Sequence, residues 1–465
     1  MHFNFKNYNL KYGNMIIFLM VMFSCLLFIN GCSIDPEITT NEWYDANEYY
    51  AGGNTTLFEA TSGAFSTPAP NLSLPNLEKH FEGDLTFEAT FVTAPATNNA
   101  GLGPIYNNVS CLSCHILDGR GNKPSVFRIS IPGTNPFNGP NPVPGMGDQL
   151  QDKAIIGELA EGLVQIFYTE EYYNLPDGTP YSLRKPNYTI ENTYIPLPAE
   201  TMLSVRAAPP VFGLGLLEAI PENDILNYAD EFDNDEDGIS GKVNYVYDFA
   251  SGNTTIGRFG WKANQPHLNQ QTSGAFNGDM GITSPLFTSE SCEGQSQHDG
   301  LPDDPEIDIH FIDVTSFYTK TLAVPAPRNL EDEKVMLGKQ LFFEIGCENC
   351  HKQKWQTGMI SEIPEISNQT IFPYTDMLLH DMGEALADGR PDYLATGSEW
   401  KTRPLWGIGL TQLANGHTFF LHDARARNMF EAIMWHGGEA EASKNQFSNL
   451  SSSERDALIT FLEAL

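Results

Sequence analysis

The chain has 465 residues, 41% of them hydrophobic and 18% charged, which is enough for two domains that each bury their own core. Its formal net charge is -33, and such a surface repels the phosphate backbone of nucleic acids. We therefore exclude nucleic acid as a partner and expect an ordinary acidic, well-solvated protein surface.

The N-terminal residues have the pattern of an export signal. Two lysines precede an apolar run, Met15 to Ile29, that is too short for an ordinary membrane-spanning helix. A small residue then precedes Cys32, as at the cleavage site of bacterial lipoproteins. We predict that residues 1–31 are a signal peptide, that Cys32 is lipidated, and that the Ser-, Thr-, Gly- and Pro-rich residues 32–75 form a flexible tether. The protein would be exported and held by acyl chains at the periplasmic side of a membrane or at the cell-envelope surface.

One motif, Cys-x-x-Cys-His, occurs twice in the chain. Composition alone would produce roughly 0.0025 such motifs in a sequence of this length, so chance does not explain the pair. Cysteines three apart on a turn point the same way and can form thioethers with the vinyl groups of a haem, while the histidine binds the iron. A zinc site or a disulfide is the alternative, but it leaves the matching histidines unexplained. We predict two covalently bound haem c groups, held by Cys111, Cys114 and His115 and by Cys347, Cys350 and His351.

Between the two motifs the sequence predicts a β-hairpin and a calcium loop. Alternating β-branched and aromatic residues at 162–168 and 181–189 flank a Pro-Asp-Gly turn, which is a hairpin signal. Further on, Asp233, Asp235 and Asp237 alternate before a glycine, as in calcium-binding loops. Position twelve of this loop is Asn244 rather than the bidentate glutamate of an EF-hand, so a solvated acidic turn is the alternative.

The C-terminal part has the plan of a class I cytochrome c domain. An apolar stripe predicts a helix that leads into the second motif, and two later helices carry capping pairs. The stripe contains Val335, Leu337, Leu341 and Phe342, and the caps are Asn428 with Glu431 and Ser451 with Glu454. We therefore expect a mainly α fold of two cytochrome c-like haem domains, residues 76–330 and 331–465, with loops and β-hairpins elaborating the N-terminal one.

Several stretches give the chain a wider resemblance, which runs from about residue 75 to the C-terminus. They are GLGPIYNNVSCLSCH, RAAPPVFGLGLLEAIP, DNDEDGISG, GRFGWKA, GDMGITSP, YTDMLLHDMGEALADGR, EWKTRPLWGIGL and FLHDARARNMFEAIMWHGGEA. With them the chain resembles the di-haem oxidoreductase family, which is related to bacterial di-haem cytochrome c peroxidases and to MauG-type enzymes.

The resemblance implies a catalytic group after the first motif. The peroxidases have a tryptophan, a glutamine ten residues later and then an acid followed by methionine. Here Trp261, Gln271 and Asp279 occupy these places, although the acid is aspartate and the second interval is shorter. Asp279 would be the acid/base for peroxide cleavage, Gln271 its hydrogen-bonding neighbour and Trp261 a bridge between the haems. A packed core indole and a turn carboxylate are the alternatives for Trp261 and Asp279.

The second haem lacks the methionine ligand that the resemblance implies. The peroxidases place a methionine before His-Asp-Gly, and this chain has Leu421 in that slot, so the iron would be five-coordinate or bound by a neighbour. We consider Met382, His422 and His417 as distal candidates. Among the basic residues of the matched motifs, the guanidinium and ammonium groups that could bind haem propionates are those of Arg120, Arg258, Arg390, Lys401, Arg403, Arg425 and Arg427.

The expected function is electron transfer between the two haems, with peroxidase-like or MauG-like chemistry at an open iron. Its partners would be a redox protein and a small oxidant such as peroxide. The alternative is a non-catalytic electron carrier, and the family's frequent company with imelysin-like proteins suggests a link to iron uptake. Haem attachment and the signal leave Cys292 as a lone thiol, which argues against a dithiol mechanism.

Overall fold

The expectation of a mainly α fold was wrong. A computed structural model describes residues 43–302 and 304–465, and it is 28% helical with 20% strand. The chain contains 40 glycines and 30 prolines, which end helices early, and the long segment between the first motif and residue 267 is mostly strand and loop. The helical periodicity of the C-terminal part therefore did not predict the secondary structure of the rest of the chain.

The described residues contain ten α-helices, most of them short. In chain order α1 to α10 are Leu74–Glu88, Leu214–Glu218, Glu222–Leu226, Leu268–Met280, Ile309–Thr321, Glu333–Glu344, Thr411–Asn415, Met429–Trp435, Glu441–Asn449 and Ser452–Ala464.

The strands of the described residues form small separate sheets. In chain order β1 to β15 are Thr56–Leu57, Ile105–Tyr106, Pro124–Thr134, Pro140–Asn141, Lys153–Ala154, Leu163–Asn174, Pro180–Glu191, Met202–Ala207, Tyr245–Asp248, Asn253–Ile256, Val324–Pro325, Trp355–Gln356, Thr370–Ile371, Leu379–Asp381 and Glu399–Lys401.

Two of these sheets shape the middle of the chain. Strand β3 lies between β4 and β8 in an antiparallel sheet, and β6 and β7 form the predicted hairpin with twelve paired positions. The hairpin is confirmed and is longer than its alternating pattern indicated. It contacts the C-terminal part, where the Arg184 guanidinium donates to the carbonyls of Ala424 and Arg425.

The C-terminal helices confirm the predicted caps. The Asn428 side chain accepts from the Glu431 amide at the start of α8, and Ser451 and Glu454 form a capping box at α10. Helix α6 crosses α10 closely, since a Cβ on Gly338 would lie 2.0 Å from the Ala457 carbonyl oxygen. The stripe on α6 is less regular than predicted, because Leu337 is 40% exposed.

Residues 45–75 pack against segments on both sides of residue 330. The buried Glu48 carboxylate accepts from the Lys339 ammonium and the Tyr374 hydroxyl, and β1 pairs in parallel with β11. Asp45–Leu465 form one compact unit, and the division into two domains at residue 330 stays a prediction. The predicted signal peptide and Cys32 lie outside the described residues. Within those residues, no helix combines the length and apolar character that crossing a bilayer requires.

Candidate functional site

The histidine of the first Cys-x-x-Cys-His turn has the hydrogen bonding that is typical of a metal-binding histidine. The Nδ1 of His115 lies 2.7 Å from the Pro209 carbonyl oxygen, so Nδ1–H donates there and Nε2 keeps its lone pair. Burial, with a smaller contribution from the nearby Arg403 guanidinium, lowers the pKa of His115 to about 4, although the hydrogen bond to Pro209 raises it. The imidazole is therefore neutral at physiological pH, as ligation of a metal requires.

This turn opens on a cavity of about 1290 Å³, counting the space at its mouth, which we call the first cavity. Cys111, Cys114 and His115 line it, and so do Trp261, Gln271 and Asp279. The last two lie eight residues apart on α4, and residues at four-residue spacing share one face of a helix. The structure thus brings together the catalytic residues that the resemblance implied.

The Asp279 carboxyl is held by an amide from another part of the chain. Gln149 Nε2 donates to its Oδ1 at 2.7 Å, and the Asp279 carbonyl accepts from the amides of Asn107 and Asn108. Burial raises the pKa of Asp279, while the Arg128 charge and the Gln149 hydrogen bond oppose that rise. The carboxyl can therefore hold a proton more readily than an exposed aspartate does.

The second turn repeats the arrangement of the first. The Nδ1 of His351 lies 3.0 Å from the Tyr374 carbonyl oxygen, and burial lowers the pKa of this histidine to about 4. A second cavity of about 1410 Å³, again with its mouth included, is lined by Cys347, Cys350 and His351. Met382, Leu421 and His422 line it as well.

Trp261 and Arg403 line both cavities. The indole is buried and its Nε1–H donates to the Ala207 carbonyl at 2.9 Å, while the Arg403 and Arg120 guanidinium groups lie 5.0 and 5.5 Å from its ring centroid. The indole is as buried as one in a hydrophobic core, but it lies in the wall between the two cavities.

The chain matches the family described as "Di-haem oxidoreductase, putative peroxidase" over residues 45–131 and 130–465. The chain belongs to the di-haem oxidoreductase family. Membership implies haem cofactors and an oxidoreductase of peroxidase type. A search of curated proteins finds no match to this di-haem oxidoreductase.

Three cations show that the second cavity suits a haem with its two propionates. Arg120 and Lys401 are buried and Arg403 is half-buried, and no carboxylate of the described residues forms an ion pair with any of them. Burial lowers the pKa of Arg120 to about 9 and of Arg403 to about 10, and it lowers the pKa of Lys401 well below its ordinary value. Unpaired buried cations are costly, and bound propionates would remove that cost.

The other basic residues from the matched motifs have partners within the di-haem oxidoreductase itself. Arg390 pairs with Asp392, Arg425 with Asp423 and Arg427 with Glu431, whereas Arg258 donates to the backbone carbonyls of Leu217 and Ile220. These four arginines therefore make contacts that stabilise the fold.

The structure separates the predicted distal candidates of the second cavity. Met382 is half-buried and lines it, and the His422 ring stacks on Trp400 with centroids 3.8 Å apart. His417 uses both ring nitrogens, since Nε2 lies 2.9 Å from the Arg120 carbonyl and Nδ1 accepts from the Phe419 amide. His417 is therefore the weakest of the three.

Another histidine of this cavity carries charge and cannot serve as a ligand. His380 lies between Asp376 and Glu439, with 2.7 Å from Nε2 and from Nδ1 to their carboxylate oxygens. Burial alone would lower the pKa of His380, but the two carboxylates raise it well above the ordinary value. An imidazolium has no lone pair for a metal.

The predicted calcium loop brings its carboxylates together. One oxygen from each of Asp233, Asp235 and Asp237 lies within 4.8 Å of the others. The same side chains also accept from the loop amides, such as Asp233 Oδ1 from Gly238 N at 3.1 Å and Asp237 Oδ1 from Ile239 N at 2.8 Å. The geometry fits a cation and equally an acidic turn.

Sequence reasoning missed Gln149 and His436. Gln149 is 130 positions from Asp279, and no local pattern connects the two. His436 lines the second cavity, and its signal was present in the WHGGEA stretch, where a histidine precedes two glycines.

Proposed function

We propose that this di-haem oxidoreductase holds both haems covalently as c-type groups and reduces a small oxidant such as peroxide in the first cavity. The main support for the proposal is that the half-buried Asp279 carboxyl lies in the same cavity as the Nε2 of His115. A carboxyl with a raised pKa beside a reaction site can move a proton between the two oxygens of a peroxide.

The cysteines of each turn would form the thioethers, and His115 and His351 would be the proximal ligands. When bound, haem supplies an iron that passes single electrons and polarises the oxidant. Reduction of one peroxide to two waters consumes two electrons and two protons. A reducing redox protein would supply the electrons.

In the first cavity, Asp279 would transfer a proton and Gln271 would orient the oxidant. Gln149 occupies Oδ1 of Asp279, so Oδ2 would accept a proton from one peroxide oxygen and return it to the other, which leaves as water. The Gln271 side chain makes no hydrogen bond to the described residues, and its amide would orient the oxidant. Met280 also lines this cavity, but it packs in an apolar cluster with Phe91 and Phe276.

The second cavity would receive electrons and Trp261 would pass them on, because its indole lies in the wall that both cavities share. We also propose that the mature protein is an exported lipoprotein anchored through Cys32. The support for this is the sequence pattern of residues 1–32.

The test is spectroscopy of holoprotein made in a host that attaches haem c. We expect two haems per chain that survive acidic acetone extraction, and one carbon monoxide bound per reduced chain. Haem that is extracted would contradict covalent attachment. If neither iron binds carbon monoxide, the protein is an electron carrier instead.

We propose calcium as a further ligand, bound by Asp233, Asp235 and Asp237. Their convergent oxygens support it. Metal analysis after chelation and re-addition of calcium should find one bound ion, and Asp235→Asn should weaken its binding. Protein prepared in calcium that contains none would identify an acidic turn.

A further inference from the structure

His436 ends helix α8 and turns its ring into the second cavity. Its Nδ1 lies 2.7 Å from the Ala432 carbonyl oxygen, one helical turn earlier, so Nδ1–H donates to that carbonyl. The Nε2 atom then carries the lone pair. An imidazole in this tautomer can bind a metal through Nε2.

This geometry matches that of the two histidines in the Cys-x-x-Cys-His turns. In His115, His351 and His436 alike, Nδ1 is directed at a backbone carbonyl, at 2.7, 3.0 and 2.7 Å respectively. A metal-bound histidine usually donates its second ring N–H in this manner, because the bond fixes the tautomer and the orientation of the ring.

The chain after His436 is locked against strand β14. A Cβ on Gly438 would lie 2.2 Å from the Asp381 carbonyl oxygen, so only glycine permits this approach. The next residue, Glu439, accepts from the Asp381 amide at 3.1 Å and contacts His380 Nδ1 at 2.7 Å. His436 therefore projects from a fixed support, as a ligand needs.

The competing side chains are less suited. His422 stacks on Trp400, and its Nε2 lies 3.7 Å from the Asp423 carboxylate, so packing and charge account for its position. Met382 lines the cavity, and its side chain packs against an apolar core cluster, so packing accounts for its position as well. His436 and His351 both line this cavity.

We propose that His436 binds the second iron through Nε2, as the axial ligand opposite His351. The inference rests on the proposed function, because it requires a haem in the second cavity. Two imidazole ligands give a lower reduction potential than an imidazole with a methionine. They also close the iron, which leaves the first cavity as the place where an oxidant binds.

The test compares His436→Gly with Met382→Ala, His422→Ala and the control His417→Ala in ferric holoprotein. Electron paramagnetic resonance and near-infrared magnetic circular dichroism report the ligands of each iron. We expect a bis-histidine, low-spin signal from one iron of the wild type. It should be lost only in His436→Gly, and added imidazole should restore it.

Three outcomes would overturn the inference: a methionine charge-transfer band in the wild type, a high-spin second iron in the wild type, or a low-spin signal that survives in His436→Gly. The haem count, measured first in each variant, separates this failure from that of the proposed function. Two haems with the wrong ligand refute His436 alone, whereas a wild type without the second haem refutes the proposed function and this inference with it.

Discussion

The two cavities share the turn that would attach a haem but differ in what faces it. In the first, an acid and an amide on one helix, Asp279 and Gln271, lie with a single histidine, His115. In the second, four histidines and Met382 are among the described lining residues, and the one carboxylate among them, that of Glu439, is paired with His380. The first is equipped to handle protons and the second to fill the coordination of a metal.

The difference teaches that the attachment motif does not decide the role of a site. Both turns direct the Nδ1 of their histidine at a backbone carbonyl and leave the ring half-buried beside a cavity. What differs is the distal wall, which comes from other parts of the chain: α4 for the first cavity and the region around β14 and α8 for the second. Function therefore depends on the site and not on the repeated motif.

Removal of one attachment site should have the largest effect. Serine at Cys111 and Cys114, or at Cys347 and Cys350, should remove one of the two haems, and either change should reduce peroxide turnover to background. Only the first pair should abolish carbon monoxide binding, because the proposed His436 ligand would close the second iron. Pyridine haemochrome assays and carbon monoxide difference spectra measure both effects. Loss of carbon monoxide binding in the second pair alone would reverse our assignment of the cavities.

Asp279→Asn should lower peroxide turnover by about 10²–10⁴-fold, the range of general acid–base catalysis, while both haem spectra persist. Because burial raises the pKa of Asp279, wild-type turnover should fall, as the pH drops, at a value above the ordinary aspartate pKa of about 3.9. The control is Asp152→Asn. Burial also raises the pKa of Asp152, which bonds Asn107 but does not line the first cavity. Equal losses in both variants would indicate a structural role.

Trp261→Phe should slow electron transfer between the haems, measured by stopped-flow after the second iron is reduced. It also removes the hydrogen bond to Ala207, at about 1 kcal/mol of stability. Trp400→Phe is a matched control, since Trp400 is equally buried, donates to the Leu386 carbonyl at 3.0 Å and lines the second cavity. A slower rate in Trp400→Phe, with an unchanged rate in Trp261→Phe, would remove Trp261 from the path.

The smallest effect on turnover is expected from the residues that support the first cavity. Glu161 is fully buried and accepts from the Gln151 amide at 2.7 Å, and the Gln151 side chain donates to the Gly278 carbonyl beside Asp279. Burial raises the pKa of Glu161 from 4.5 to about 8. Between these values the folded state binds more protons than the unfolded state, so the free energy of unfolding should fall as pH rises.

The expected slope from Glu161 is about 1.4 kcal/mol per pH unit, and Glu161→Gln should remove it. Urea unfolding at a series of pH values between 4.5 and 8 measures the slope. Glu158→Gln, at an exposed position of the same loop, should leave it unchanged. An unaltered slope in Glu161→Gln would mean that another group titrates.

The local patterns were the parts of the sequence that could be interpreted correctly. The hairpin and the caps at Asn428 and Ser451 depend on neighbours within a few residues, and the structure confirms them. The predicted fold class was wrong because the strong helical periodicity near the C-terminus was taken to represent the whole chain, whose middle is strand and loop. The prediction that Leu337 is buried was wrong as well, since an apolar stripe in a sequence does not show which of its residues another helix covers.

By itself, the sequence determined the two Cys-x-x-Cys-His motifs, which predict covalent haem attachment, and its resemblance to the peroxidases supplied the candidates for the acid and its neighbours. Both depend on residue types at short, fixed spacings. Tertiary structure alone decided that Asp279 faces the cavity of His115, that Gln149 holds it, and that Trp261 stands between the two cavities. It also decided that His436 lies with His351. The physical reason is that a cavity wall is built from packing between segments more than a hundred residues apart, or from loops whose path local propensities do not fix.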